Sequence, residues 1–219
     1  MDSPTCIIHL PEGQPDAAII WLHGLGADAH DLEPISARLG LHSTRHLFPN
    51  APRRRITINN GTEMRAWFDF TSLDLSGGEN REHVRDSIAK IRELIDSQIE
   101  QGIESTRIIL AGFSQGGVIA LLTGLGCERP LGGIIALSTY IPEQCDLTVR
   151  QRIPVIQCHG LDDTVIPYEI GLATSRRLQE LLGDDYEWRT YPMEHGVSDR
   201  EIDDLTQWVQ NHLGAPVTA

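Results

Sequence analysis

No apolar run in this 219-residue chain approaches the roughly 18 residues that a membrane-spanning helix needs; Ala17–Leu22 is typical of the longest. The opening MDSPTCIIHL has no basic segment followed by a long apolar stretch, so no secretory signal is expected. Cysteine is scarce and scattered. Cys6, Cys127, Cys145 and Cys158 form no CxxC pair, which argues against a thiolate zinc site and for thiols kept reduced in a cytoplasm. No histidine–carboxylate spacing suggests a metal site, and no metal or other cofactor is expected. Positive charge is also short: 18 Lys and Arg stand against 31 Asp and Glu, a net charge of −13. Such a chain is repelled by nucleic-acid phosphates and by anionic membrane surfaces. Its basic run, Arg53–Arg55, follows Pro52 in a turn-like stretch and is too short for a polynucleotide groove. Repeats, low-complexity segments and composition breaks are missing too, which points to one domain spanning residues 1–219.

What is present is alternation. Strands are expected at Ala17–Leu22, Thr44–Phe48, Arg107–Ala111, Gly133–Leu137, Pro154–Cys158 and Tyr186–Tyr191. Helices are expected at Asp31–Leu39 (capped by Asp31), Glu79–Gln101, Gln115–Leu125, Tyr168–Leu182 and Asp199–Leu213. In the second of these, Val84, Ile88, Ile91, Ile95 and Ile99 recur on one face of a 3.6-residue period. Pro49-Asn50 closes the second strand, and the residues from there to about Gly78 read as irregular, with NNG and SGG turn signals. Strands apolar on both faces, alternating with helices, make an α/β fold with a mostly parallel central sheet covered by helices on both faces. Ligands in such sheets sit beyond the carboxyl ends of the strands. The loops after Leu22, Ala111, Leu137, Cys158 and Tyr191 are therefore the ones to search.

One of them carries Gly112-Phe113-Ser114-Gln115-Gly116, between a strand and a helix. Glycine and serine make ordinary turns, but this setting is also that of a nucleophile elbow. There the serine takes a strained backbone conformation, and the strand and helix approach so closely that a Cβ two residues to either side clashes. A serine nucleophile needs a base, and in this architecture the chain order is serine, acid, histidine. His195, in the loop PMEHGVSD after Tyr191, fits that order; His212, in the last turn of the final helix, reads as structural. The acid belongs in HGLDDTVIP, where Asp162 and Asp163 are equally good candidates and His159 reads as a packed residue. An oxyanion hole takes one N–H from the residue after the nucleophile, Gln115, and a second from an early loop, here HGLGAD after Leu22.

Several stretches, in order, resemble the carboxylesterase and acyl-protein thioesterase family of α/β-hydrolases: WLHGLGAD, FPNAPRRRITINNG, RIILAGFSQGG, GGIIALSTYIP, CHGLDDTVIP and YPMEHGV. The resemblance implies an α/β-hydrolase fold, with Ser114 as nucleophile, His195 as base, Asp163 rather than Asp162 as acid, and Leu25 and Gln115 as oxyanion donors. The sequence departs from the family where Met-Pro-Ser-Trp is usual: Met64-Arg65-Ala66-Trp67-Phe68-Asp69 keeps the tryptophan and the aspartate but not the proline and serine.

The expected reaction is hydrolysis of short- to medium-chain carboxylic esters through an acyl-enzyme, with activity rising with pH as the histidine base loses its proton. Acyl-protein thioesterase or lysophospholipase activity would use the same site. A dienelactone hydrolase would place cysteine at the elbow, and a binding module with a dead site would lack one of the parts, all of which are here. The partner expected is a small ester or acyl substrate; an apolar groove rim is compatible with a homodimer, which nothing in the sequence requires. Acyl contacts are expected from Trp67, Phe68, Leu73 and Leu75, the last two alternating with polar residues before Gly77-Gly78 as a flap with one apolar side would.

Overall fold

Strand β2 (Ala17–Leu22) shows how the sheet is built: all of its residues are buried, and they alternate between two cores. Ala18, Ile20 and Leu22 join one apolar cluster, Ala17, Ile19 and Trp21 the other. A strand with no polar face has to be covered on both sides. In this computed structural model, which describes residues 6–72, 78–142, 145 and 147–213, it is. The first cluster takes side chains from α2 (Arg81–Glu100), α3 (Gln115–Leu125) and α4 (Tyr168–Leu182), among them Val84, Ile91, Val118 and Leu178. The second takes Ile35 from α1 (Glu33–Arg38) and Leu205 and Trp208 from α5 (Asp199–Leu213).

Beside β2 lie β1 (Cys6–His9), β3 (Thr44–Pro49), β6 (Ile108–Phe113), β7 (Gly133–Leu137), β8 (Val155–Gly160) and β9 (Tyr186–Tyr191), in the spatial order β1-β3-β2-β6-β7-β8-β9. Only β1 runs antiparallel, against β3. From β2 the chain winds outward one way through β3; from β6 it winds the other way through β7, β8 and β9. The order reverses between β2 and β6, and a crevice opens at such a switch point beyond the carboxyl ends of the strands. The loops that meet there are His23–Asp28 and the turn at Ser114.

Three local outcomes differ from expectation. Helix α1 starts at Glu33 and Asp31 does not cap it; its N-cap, Leu32, makes no side-chain bond. Pro34, pre-set for a first helical turn, marks the start instead. Edge strand β1 was not expected; it is short and half exposed, so its residues carry little periodic signal. The supposedly irregular stretch contains a hairpin, β4 (Arg53–Ile56) and β5 (Thr62–Arg65), with Asn60 and Gly61 both at positive φ at its bend. Among the described residues no helix is long and apolar enough to cross a membrane.

Candidate active site

The turn from β6 into α3 holds Ser114 at φ 53° and ψ −120°, a conformation L-residues rarely adopt. It persists because the surroundings over-determine it. Ser114 N donates to Leu137 O at 2.9 Å, and Thr139 Oγ1 donates to Ser114 O at 2.7 Å, tying the turn to the end of β7. The flanking glycines are needed for space: a Cβ on Gly112 would lie 2.4 Å from Gly116 O, and one on Gly116 would lie 2.1 Å from Leu22 O. Since both neighbours are backbone atoms that cannot swing aside, Gly116→Ala is expected to destabilise the protein by about 3 kcal/mol, read as a lower midpoint in urea unfolding. An unchanged midpoint would mean that α3 can shift away from β2.

His195 and Asp163 meet at the same edge. Asp163 Oδ2 accepts from His195 Nδ1 at 2.8 Å, and Oδ1 accepts from Val165 N at 2.9 Å and Ile166 N at 2.8 Å. The carboxylate is buried and has three donors; Asp162, next to it, is exposed. A carboxylate held this way fixes the proton on Nδ1 and leaves Nε2 to accept one. The His195 ring lies against Phe113, the residue before Ser114, with centroids 4.7 Å apart. Ser114 Oγ has no hydrogen-bond partner among the described residues.

The backbone N–H groups of Leu25 and Gln115 have no partner among the described residues. Gly24 packs so closely that a Cβ there would be 3.6 Å from Ser114 Cβ, so the two N–H groups share one neighbourhood. This loop is fastened from outside. Gly26 N donates to Arg65 O of the hairpin at 2.9 Å, Ala51 N donates to His23 Nε2 at 3.0 Å, and Trp67 Nε1 donates to His23 O at 2.8 Å. Burial lowers the pKa of His23, so its ring stays neutral and accepts from Ala51.

That last bond corrects the expectation for Trp67 and Phe68. They are 1% and 0% exposed and are packed into the core. Trp67 instead holds the His23–Asp28 loop, while Gln115 holds Trp67: its Oε1 accepts from Trp67 N at 2.7 Å and its Nε2 donates to Phe68 O at 2.8 Å. Asp69, kept from the family pattern, accepts from Thr57 N and Thr57 Oγ1 and fastens the hairpin to the same segment. Leu73 and Leu75 lie outside the described residues. His159 is fully buried, donates from Nε2 to Ile166 O at 2.9 Å and is kept neutral by burial. His212 stacks on Trp208 at 4.3 Å, in the last turn of α5. A cavity of about 260 Å³ is lined by Val84, Ile88 and Leu122 among others, and one of about 540 Å³ by Ala51, Arg65 and Trp67 among others.

The sequence reading missed the side chains that do the fastening: His23, Thr139 and the amide of Gln115. The signal available for them was position alone, His23 one residue before the glycine of the oxyanion loop and Gln115 one after the serine.

A mostly parallel sheet with a strand–serine–helix turn at its switch point and a histidine–aspartate pair on later loops is the α/β-hydrolase fold. The phospholipase/carboxylesterase family matches residues 4–213, and the chain belongs to that family. It is a carboxylic ester hydrolase of the carboxylesterase and acyl-protein thioesterase type. Among its relatives, acyl-protein thioesterase 1 of Mycosarcoma maydis is 37% identical over 96% of this chain and 98% of that protein. The protein of the same name from Gibberella zeae is 33% identical over 91% and 92%. In the crystal structure of Arabidopsis thaliana SOBER1, at 31% identity, 90% of this chain and 99% of that chain superpose with a TM-score of 0.83.

Proposed function

We propose that this protein hydrolyses acyl thioesters, and carboxylic esters more slowly, through an acyl-enzyme on Ser114. The observation that carries the reading is the His195–Asp163 bond of 2.8 Å, with the His195 ring packed on Phe113 next to a strained Ser114 in the chain. Ser114 Oγ attacks the acyl carbonyl while its proton passes to His195 Nε2. The Leu25 and Gln115 N–H groups hold the oxyanion, each donor contributing on the order of 3 kcal/mol. As the C–S or C–O bond breaks, His195 returns the proton to the departing sulfur or oxygen. Water then attacks the acyl-serine, its proton goes to His195 and on to Ser114, and the carboxylic acid leaves. The water-derived oxygen stays in the acid.

Thioesters come first because the relatives that cover nearly the whole chain carry the name acyl-protein thioesterase 1. Simple short- to medium-chain esters, and lysophospholipids, share the chemistry and are the competing substrate classes. Four cysteines, none in a disulfide, suit a reducing compartment such as the cytoplasm. Matched peptides carrying one acyl group on cysteine or on serine test the choice, over chains of two to sixteen carbons. The expected kcat/KM is about tenfold or more higher for the thioester at the preferred length, the thiolate being the better leaving group in a site shaped for it. Equal or reversed values beyond their difference in spontaneous hydrolysis would make the protein a simple carboxylesterase.

A further inference from the structure

The loop that carries His195 ends on a buried acid that the chemistry above does not use. Glu201 is 0% exposed, in the first turn of α5. It forms a capping box with Ser198: Glu201 N donates to Ser198 Oγ, and Ser198 N donates to Glu201 Oε2, both at 3.3 Å. The other oxygen, Oε1, is buried without a hydrogen-bond partner.

Among the described residues no cation is paired with it. From β8 comes the Cys158 thiol, also fully buried; from β9 come Tyr191 and Arg189; from α5 itself comes Asp204. Arg189 is occupied by Glu187 at 2.8 Å and Asp204 at 3.3 Å, and Tyr191 donates to Asp204 at 2.9 Å. The other charges at the start of α5, Asp199, Arg200 and Asp203, are on its exposed face, with Asp199 paired to Arg38. A buried carboxylate without a cation is costly, so the group stays protonated.

We propose that Glu201 is a positioning residue for His195: its neutral carboxyl closes the end of the 192–198 loop, and its ionisation releases that loop and lowers activity. The inference rests on the proposed role of His195 as the base. Among the described residues the loop's other fastenings include His195 Nδ1 donating to Asp163 Oδ2 at 2.8 Å, Met193 O accepting from Asp162 N at 3.1 Å and Gly196 O accepting from Ser138 Oγ at 3.3 Å. All three belong to the sheet side. Glu201 supplies the fastening toward the helix, so its loss lets the imidazole drift without unfolding the strands.

Burial, and to a lesser degree Asp204, pushes the Glu201 pKa up to about 8. A carboxyl raised above its unfolded value of about 4.3 contributes stability below that value and loses it as pH rises towards the folded pKa. The helix end should therefore be most secure below about pH 4.3, weaken progressively as pH rises, and have lost this contribution by about pH 8.

The test is kcat and KM for a soluble ester from pH 6 to 10, corrected for spontaneous hydrolysis, on the wild type, Glu201→Gln and Glu201→Ala. The wild type should lose about tenfold in kcat per pH unit above its break, with KM little changed. Glu201→Gln preserves an acceptor for Ser198 N without a charge to expel, and its kcat should stay flat to pH 9.5. Glu201→Ala, with no acceptor, should be slower by about tenfold throughout and show no break. Hydrogen exchange of the 192–200 peptide in the wild type, corrected for intrinsic rate, should rise across the same break, and this needs no variant to fold. A wild-type profile without an alkaline fall, or a Glu201→Gln profile that falls as the wild type does, overturns the inference. Labelling of Ser114 by a fluorophosphonate at pH 7 separates this from failure of the serine mechanism, which would abolish labelling in every variant.

Discussion

Alanine at position 114 is expected to fold as the wild type does and to lose at least about a thousand-fold in kcat. Folding should survive because Ser114 Oγ has no hydrogen bond to lose, and the bonds that hold the strained turn, from Ser114 N to Leu137 O and from Thr139 Oγ1 to Ser114 O, involve the backbone. Activity should collapse because the proposed acyl-enzyme forms on the Ser114 hydroxyl, which alanine lacks. Water held by the same donors would account for what remains. Circular dichroism with steady-state kinetics on one preparation checks both halves. A variant that keeps a tenth of wild-type kcat would remove Ser114 from the mechanism.

The neighbouring aspartates should separate as sharply. Asp163→Asn is expected to reduce kcat by about ten-thousand-fold, Asp162→Asn by no more than about threefold. An asparagine at 163 can still accept from Val165 N and Ile166 N through its oxygen, so the loop should hold. That choice turns its NH2 group toward His195 Nδ1, a donor facing a donor unless the imidazole moves its proton to Nε2. With the proton on Nε2, the ring can no longer take one from Ser114. Asp162 is exposed, and its backbone N–H does the work of fastening Met193 O, so changing its side chain disturbs nothing nearby. Equal losses in the two variants would show that the 161–163 turn acts as a whole and that no single carboxylate orients the base.

The two aspartates also mark where reading the sequence stops. Either residue suits a turn, and successive side chains on a loop point in different directions that composition does not record; the family resemblance pointed to Asp163, and of the two it is the one that is buried, with three donors. The elbow was legible because two constraints leave marks in residue type: glycines where Gly112 and Gly116 meet backbone, and apolar runs such as Ala17–Leu22 where both sheet faces are covered. Trp67 and Phe68 were misread for the converse reason. A large aromatic residue suits a ligand groove and a core equally, and only the bond from the indole to His23 O shows which one it serves. The capping box of Ser198 and Glu201 has a readable spacing, but the burial that gives Glu201 its unusual environment comes from β8 and β9, far away in the chain.

The claim at the centre of this account is a covalent acyl group on Ser114. Rapid quenching of the enzyme in acid after mixing with an excess of a slow aryl ester, followed by intact mass and peptide mapping, tests it directly. The account predicts one added acyl mass per chain, confined to the peptide that contains Ser114 and absent from Ser114→Ala. Turnover with unmodified protein at every quench time, or the acyl mass on another peptide, would contradict it.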